Sequence, residues 1–230
     1  HVSLCGIRAI SFDADGTLWD FDRAMRRALA LTLEEMRRHV GSAADGLDVE
    51  RMIRIRDRVA ASAKGQSLEE VRLEAFRQTL WEIGCPDDDL AGRLCAFYLH
   101  HRFQDIQLYD DVRPALDRLR GRYRLGLLTN GNTYPDRCGL AGVFHFVVVA
   151  QEYGYAKPDP RLFGVAVEQA GCGPEAVLHV GDSWENDVIG ALNAGLRAVW
   201  LNRQGTALPE ERRDVHEISS LAELPGLMQA

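Results

Sequence analysis

The second half of the chain alternates short apolar segments with helical patterns, and this alternation constrains the fold more than any other feature. Four of the apolar segments have the composition and length of buried strands: 124–129 (RLGLLT), 144–149 (FHFVVV), 176–181 (AVLHVG) and 197–201 (RAVWL). Between the later segments the spacing predicts helices near 160–170 and 185–194. Strands that alternate with helices form right-handed βαβ units, so we expect a mainly parallel sheet.

Local signals mark the ends of these two helices. Asp159 is a favourable N-cap for the first helix, and Pro160 suits its first position. Gly171 lies just past the end of that helix, and Gly195 closes the second one.

Residues 20–107 have a different character, with several helical patterns and no convincing strand. Ser67 and Glu70 form a capping box before one of these helices. A further helix is expected after Pro86 and the three acidic residues that follow it. This stretch therefore predicts a helical insertion.

One more apolar segment, 7–12 (IRAISF), precedes the helical stretch and ends abruptly at Asp13. We predict that it joins the later strands in a doubly wound, Rossmann-like α/β core. The core is then built from residues 1–19 and 108–230, and the helical bundle is inserted between them.

Charge and hydropathy exclude several classes of partner. The net charge is −7, and such an excess of acid opposes non-specific binding to nucleic acid or to an anionic membrane. No segment approaches the ~20 apolar residues of a membrane span. We expect neither a nucleic-acid nor a membrane partner.

The cysteines and the N-terminus indicate a cytoplasmic protein. The five cysteines are scattered, and no pair has the C-x-x-C spacing of a zinc or redox site. Reduced thiols are the simplest interpretation. The first residues lack the basic start and the apolar stretch of a signal peptide.

Polar residues follow the predicted strands at the points where these strands end. In an open parallel sheet, ligands bind beyond the carboxyl ends of the strands, so these side chains are expected to meet. They are Asp13, Asp15, Thr129, Asn130, Lys157, Asp182 and Asp187.

Four carboxylates and one lysine in a small volume predict a metal site. Carboxylates that lie close together raise one another's pKa or need a cation between them. An all-oxygen set suits Mg²⁺, and the absence of thiolate and imidazole argues against zinc. The metal together with Lys157 indicates a dianionic ligand.

Four segments resemble the signature motifs of the haloacid dehalogenase superfamily: FDADGTL (12–18), LLTNGN (127–132), GYAKPDPRLF (154–163) and HVGDSWENDVIGALNAG (179–195). The resemblance covers almost all of the predicted core. The helical insertion is similar in position and length to the helical cap of that superfamily.

The resemblance implies a phosphatase mechanism. Asp13 would be the nucleophile and would form an aspartyl-phosphate. Asp15 would protonate the leaving oxygen and then activate water. Mg²⁺ would be held by Asp13, by the backbone carbonyl of Asp15 and by Asp182. Asp187 would act through a metal-bound water or by orienting Lys157.

The remaining implied roles concern the phosphoryl group. Thr129 and the backbone N–H of Asn130 would hold its oxygens, and Lys157 would neutralise charge on the nucleophile and the phosphate. The expected substrate is a small phosphorylated metabolite. The five-residue step from Asp182 to Asp187 resembles the nucleotidase and sugar-acid phosphatase branches of the superfamily.

Three alternatives remain open from the sequence. A sugar phosphomutase would use the same residues. A 2-haloacid dehalogenase would need the nucleophilic Asp13 but neither a metal nor a second acid, so Asp15 and Asp182 argue against it. A non-catalytic phosphate-binding protein would not need both Asp13 and Asp15.

Overall fold

The structure is a computed structural model that describes residues 4–207 and 215–229. The chain divides into two compact units, one comprising His1–Asp20 and Gln107–Ala230 and the other Phe21–Ile106. The outermost residues of the predicted core, 1–3 and 230, lie outside the described residues.

The first unit contains a six-stranded sheet in which every neighbouring pair of strands is parallel. In the order β3-β2-β1-β4-β5-β6, the chain reverses direction across the sheet between β1 and β4, which is the switch point of a doubly wound fold. The predicted fold class is confirmed. The strands are β1 (Ala9–Phe12), β2 (Arg124–Thr129), β3 (Phe146–Val149), β4 (Val177–Gly181), β5 (Arg197–Leu201) and β6 (His216–Ile218).

The apolar composition of the central strands follows from their position. Every residue of β1 and β4 is buried, as expected when helices cover both faces of a parallel sheet. The first and third strands are shorter than the segments 7–12 and 144–149 that predicted them. The edge strand β6 has only three residues and was not predicted.

The second unit contains four α-helices, α1 (Phe21–Val40), α2 (Val49–Ser62), α3 (Leu68–Glu82) and α4 (Asp88–Gln104). Residues at helical spacing on α1, among them Met25, Leu29 and Met36, form its core with residues of the other three helices. The capping box of Ser67 with Glu70 is present at the start of α3.

The helices of the α/β unit are α5 (Val112–Leu119), α6 (Pro160–Ala170), α7 (Gly190–Asn193) and α8 (Leu224–Leu227). On α6, Asp159 caps the N-terminus and Gly171 ends the helix with a left-handed φ of 69°, as predicted. No helix in the described ranges is long and apolar enough to cross a membrane.

The helix predicted near 185–194 is present over residues 184–193, but it is not α-helical throughout. Residues Trp184–Ile189 form a π-helical turn, and only Gly190–Asn193 is α-helical. A π turn carries an extra residue, so it changes which side chain faces the sheet. Here the side chain that turns inward is Asp187.

Candidate active site

Asp13 directly follows β1 and lies at the carboxyl edge of the sheet. Its backbone N–H donates to the carbonyl of Val180 at 2.9 Å, which continues the β1–β4 ladder by one residue. This bond places Asp13 beside the segment that carries Asp182. The side chain is almost fully buried, so its charge must be balanced within the protein.

Lys157 supplies the balancing charge. Its Nζ atom lies 2.6 Å from Oδ1 of Asp13 and 2.6 Å from Oδ1 of Asp187, and it donates to the carbonyl of Leu128 at 2.9 Å. These three acceptors use all three protons of the ammonium group. Lys157 is therefore a fixed cation between two carboxylates.

The backbone of Lys157 is held by the side chain of Asn130. The Lys157 N–H donates to Oδ1 of Asn130 at 2.7 Å, and Nδ2 of Asn130 donates to the Lys157 carbonyl at 2.9 Å. The Lys157–Pro158 peptide bond is cis. The pair of hydrogen bonds connects the loop after β2 to the loop that carries the lysine.

Asp187 has partners on both carboxylate oxygens. Besides Lys157, Oδ1 accepts from Nε2 of His179 at 3.1 Å, and Oδ2 accepts from the backbone N–H of Ser183 at 3.0 Å. The π turn brings Asp187 back over the end of β4, where it packs against Gly181. A Cβ atom at Gly181 would collide with the Asp187 carboxylate, so this position requires glycine.

Asp13, Asp182 and Asp187 form a cluster that could hold a metal ion. One oxygen from each lies within 4.8 Å of the others, and Asp182 is the most exposed of the three. Thr17 lies between two of them, with its Oγ1 at 3.4 Å from Asp13 and 3.3 Å from Asp182. Magnesium binds oxygen at about 2.1 Å, so the all-oxygen cluster has the donor chemistry and roughly the size that Mg²⁺ needs.

The cluster has more negative than positive charge. Burial and the neighbouring charge of Asp187 raise the pKa of Asp13 well above its ordinary value, although Lys157 opposes this shift. Burial and Asp187 also raise the pKa of Asp182. Three carboxylates therefore share one ammonium, and a divalent cation would balance the remainder.

In the other two groups, the neighbouring charges outweigh burial and favour the ionised form. Burial alone would raise the pKa of Asp187, but Lys157 and His179 hold it below its ordinary value. Burial alone would lower the pKa of Lys157, but Asp13 and Asp187 raise it above that of a free lysine. Lys157 is therefore charged near neutral pH.

Asp15 lies apart from this cluster. Its carboxylate is half-buried, and its Oδ1 accepts a hydrogen bond from the indole Nε1 of Trp19 at 2.6 Å. The other oxygen faces Gly131, where a Cβ atom would collide with it. The carboxylate of Asp15 is not among the clustered oxygens, and metal binding through its backbone carbonyl stays a prediction.

The loop after β2 carries the two residues predicted to bind phosphate. Thr129 is buried, and its Oγ1 accepts from the backbone N–H of Gly131 at 3.0 Å. The side chain of Asn130 is occupied by Lys157, as described above. Among the predicted site residues, Asp13, Lys157, Asp182 and Asp187 come together, while Asp15 and Thr129 both lie against Gly131.

Comparison with known proteins identifies the family. The model of the haloacid dehalogenase-like hydrolases matches residues 7–195. The chain belongs to this family. It is therefore a hydrolase, and the resemblance of its four motifs is confirmed.

Three similar proteins are named for different activities. The chain is 30% identical to N-acylneuraminate-9-phosphatase of Rattus norvegicus over 240 residues, which cover 100% of this chain and 96% of that protein. It is 39% identical to pyrimidine 5'-nucleotidase YjjG of Escherichia coli over 119 residues, 49% of this chain and 53% of that protein. The solved structure of a 2-haloacid dehalogenase from Pseudomonas syringae pv. Tomato has a TM-score of 0.79 and 32% identity, covering 97% of this chain and 98% of that one.

Sequence reasoning missed a buried hydrogen-bonded pair beneath the site of this hydrolase. Oγ of Ser11 on β1 lies 2.8 Å from Nδ1 of His179 on β4, and both side chains are fully buried. The available signal was a polar residue inside each of two strands that are otherwise apolar. The pair joins neighbouring strands, and through His179 it contacts Asp187.

A second missed feature supports the loop that carries Thr17. Arg203 donates from Nη2 to the Thr17 carbonyl at 2.9 Å, and both of its Nη atoms contact Asp111 at 2.8 and 2.9 Å. The guanidinium also lies 4.0 Å from the centre of the Tyr109 ring. This network fixes the backbone at the residue whose hydroxyl lies between Asp13 and Asp182.

Proposed function

We propose that this protein is a Mg²⁺-dependent phosphatase that hydrolyses a small phosphorylated metabolite through an aspartyl-phosphate on Asp13. The observation that carries the proposal is the cluster of Asp13, Asp182 and Asp187, in which Asp13 and Asp187 bind the ammonium of Lys157. An oxygen-only cation site beside a fixed ammonium suits a dianionic phosphoryl group. The similarity to a phosphatase over the whole chain supports it.

Asp13 is the proposed nucleophile because it lies at the centre of this charge pattern. Its carboxylate attacks phosphorus, the bond to the leaving oxygen breaks, and hydrolysis of the acyl phosphate restores the carboxylate. A nucleophilic carboxylate must be ionised, and the raised pKa of Asp13 opposes this in the protein without a cation. Bound Mg²⁺ would supply positive charge that favours ionised Asp13 and polarises the phosphoryl oxygens.

Asp13, Asp182 and the backbone carbonyl of Asp15 are the proposed magnesium ligands. Asp187 is held on both oxygens by Lys157, His179 and Ser183, so we assign it the role of orienting Lys157 or of contacting the ion through water. Lys157 would then neutralise charge on the nucleophile and on the transferring group.

Asp15 is the proposed general acid and base, and Thr129 with the Asn130 N–H is the proposed phosphoryl-binding pair. Asp15 is separate from the metal cluster and half-exposed, which suits a group that must exchange protons with the leaving group and with water. Its second oxygen faces the loop of Thr129 and Gly131. The acid and the phosphoryl-binding pair would therefore act on the same group.

The rival 2-haloacid dehalogenase function is supported by the structural similarity to a protein of that name. Displacement of halide needs no proton donor and no metal. In that reaction, Asp182 in the carboxylate cluster and Asp15 outside it would have no chemical role. A sugar phosphomutase would use the same groups, and it differs in returning the phosphoryl group to a sugar rather than to water.

For the substrate we propose a sugar-acid phosphate, with a nucleoside monophosphate as the second candidate. The first rests on similarity to N-acylneuraminate-9-phosphatase across both units of the chain. The second rests on similarity to a pyrimidine 5'-nucleotidase over half of the chain. We assign catalysis to the α/β unit and the role of a cap to the helical unit. We propose a cytoplasmic enzyme because the five cysteines are scattered along the sequence without C-x-x-C spacing.

A hydrolysis screen tests this function. The purified protein is incubated with N-acylneuraminate 9-phosphate, pyrimidine nucleoside monophosphates, hexose phosphates and 2-chloropropionate, with Mg²⁺ or with a chelator, and Asp13→Asn serves as the control. We expect phosphate release that requires Mg²⁺ and is absent from the variant. Halide release that persists in chelator would refute the proposal, and transfer of phosphate between sugar positions without release would establish a mutase.

A further inference from the structure

Trp19 has a fixed position beside the proposed acid. It is among the largest fully buried side chains. Its backbone bridges to Asp15 and to Leu108, and its carbonyl accepts from the N–H of Gly16 at 2.9 Å. The indole therefore cannot follow Asp15 if that side chain rotates.

The chemistry of indole determines which Asp15 oxygen it can contact. An indole Nε1–H is a donor and has no acceptor capacity. At 2.6 Å it donates to Oδ1 of Asp15, so Oδ1 must act as an acceptor whether the carboxyl is ionised or protonated. A proton on Oδ1 would point at another proton.

The second oxygen is consequently the one that can carry a proton. Oδ2 faces Gly131, where the site of a Cβ atom is also 3.4 Å from Oγ1 of Thr129. Oδ2 therefore faces the loop that is proposed to hold the phosphoryl group. The orientation of the Asp15 carboxyl group depends on two features. The Trp19 indole contacts one oxygen, and Gly131, which has no side chain, leaves room for the other.

We propose that Trp19 is a positioning residue that holds Oδ1 of Asp15 and so makes Oδ2 the oxygen that donates a proton to the leaving group and later accepts one from water. The inference rests on the proposed function. Trp19 contacts neither substrate nor metal in this role, and its effect passes through Asp15.

Trp19→Phe removes the donor and keeps an aromatic ring. Phenyl phosphate and 4-nitrophenyl phosphate differ mainly in how much the leaving phenol needs protonation. For both substrates, kcat/KM reports the steps up to release of the phenol. We expect kcat/KM for phenyl phosphate to fall about tenfold or more, and that for 4-nitrophenyl phosphate to fall less than about threefold, since acid catalysis assists chiefly the poorer leaving group. Gly131→Ala, which adds a methyl group against Oδ2, should also change the ratio of the two kcat/KM values.

Trp81→Phe makes the same change at an exposed tryptophan and should alter neither rate. Equal loss for both substrates in Trp19→Phe, with a lowered melting temperature, would mean that Trp19 only supports the fold and would overturn the inference. Unchanged rates would also overturn it. Failure of the wild-type protein on every phosphate ester would instead refute the proposed function.

The hydrogen bond can be tested without turnover. The four tryptophans give four indole N–H signals in a ¹H–¹⁵N spectrum, and the signal missing from Trp19→Phe belongs to Trp19. We expect that signal to move upfield in Asp15→Ala, because the short bond to a carboxylate is lost. A signal that stays in place in Asp15→Ala would overturn the assignment of this bond.

Discussion

The Nε2 atom of His179 lies 3.1 Å from Oδ1 of Asp187, the oxygen that Lys157 also contacts. Burial lowers the pKa of His179, so the ring is neutral near pH 7 and only one nitrogen bears a proton. Since an ionised carboxylate can only accept, that proton is on Nε2. Nδ1 then accepts from the hydroxyl of Ser11 on the neighbouring strand, and the tautomer is set by Asp187.

His179→Phe should weaken magnesium binding, because Asp187 loses a donor that fixes its orientation. Loss of a partner to a metal-site carboxylate typically costs about 10–100-fold in metal affinity or activity. The measurement is the Mg²⁺ concentration that gives half-maximal turnover, together with the rise of melting temperature on adding Mg²⁺. His179→Gln can still donate from Nε2. Its magnesium affinity and its rise of melting temperature on adding Mg²⁺ should therefore be closer to those of the wild type than in His179→Phe. Equal Mg²⁺ dependence in all three proteins would contradict the prediction.

Asp13→Asn should raise the melting temperature of the protein in chelator at pH 7. The pKa of Asp13 is raised in the folded state, so its contribution to stability is present below the pKa of the unfolded chain and is lost as pH rises through the folded value. The variant has no such group to ionise. The gain in melting temperature should therefore be largest near neutral pH, shrink as pH falls, and be lost by about pH 4, close to the ordinary pKa.

Melting curves of both proteins from pH 4 to pH 8 measure this difference. A variant that is less stable than the wild type at pH 7 would show that the attraction between Asp13 and Lys157 outweighs the burial of charge. Turnover provides the second measurement on the same protein, and it should fall to background because an amide is not a nucleophile.

Lys157→Met should lower the free energy of unfolding at pH 7 by about 3–5 kcal/mol, the usual effect of leaving a buried charge without its partner. The pKa of Asp187 is depressed mainly by Lys157, so this stabilisation is present above the ordinary pKa of Asp187 and is lost as pH falls. The difference in free energy of unfolding between wild type and variant should therefore decrease under acidic conditions. Urea unfolding at pH 7 and at a pH below the ordinary pKa of Asp187, about 3.9, measures it.

The chain provides a matched control because Lys64 is its only other lysine. Lys64 is exposed, and Lys64→Met should change the free energy of unfolding by no more than about 0.5 kcal/mol. A similar loss in both variants would mean that Lys157 has no special role in the cluster.

Asp15→Asn should convert the enzyme into one that accumulates phosphate on Asp13. The amide oxygen can still accept from Trp19, and the NH₂ group then replaces Oδ2, so the side chain keeps its position and loses its acid–base function. An aryl phosphate with an acidic phenol leaves with little help, whereas activation of water is lost for every substrate and costs ~10²–10⁴-fold. We expect a burst of phenol followed by slow turnover.

The burst amplitude should approach one phenol per active site, and acid-quenched protein should gain the mass of one phosphoryl group. Stopped-flow absorbance and mass spectrometry measure these quantities. A uniform loss without a burst and without labelled protein would show that Asp15 only maintains the site.

Much of the fold could be predicted because its signals are local. Each buried strand is a short apolar segment that ends in polar residues, and the ends of α6 are marked by Asp159 and Gly171, which act on their own backbone. The strand β6 was not predicted because a segment of three residues is too short to show a hydrophobic period. The π turn could not be predicted because the contact of Asp187 with Lys157 that accompanies it joins residues 30 positions apart in the chain.

The sequence by itself determined which residues stand at the carboxyl ends of the strands, since a parallel sheet brings all such ends to one edge. Only the tertiary structure decided which side chains touch there. Ser11 meets His179 across 168 residues, and the side chain of Asn130 holds the backbone of Lys157. Trp19 donates to Asp15 because the loop between them folds back on itself. Such contacts depend on strand register and on rotamers chosen by packing, and neither leaves a periodic signal in the sequence.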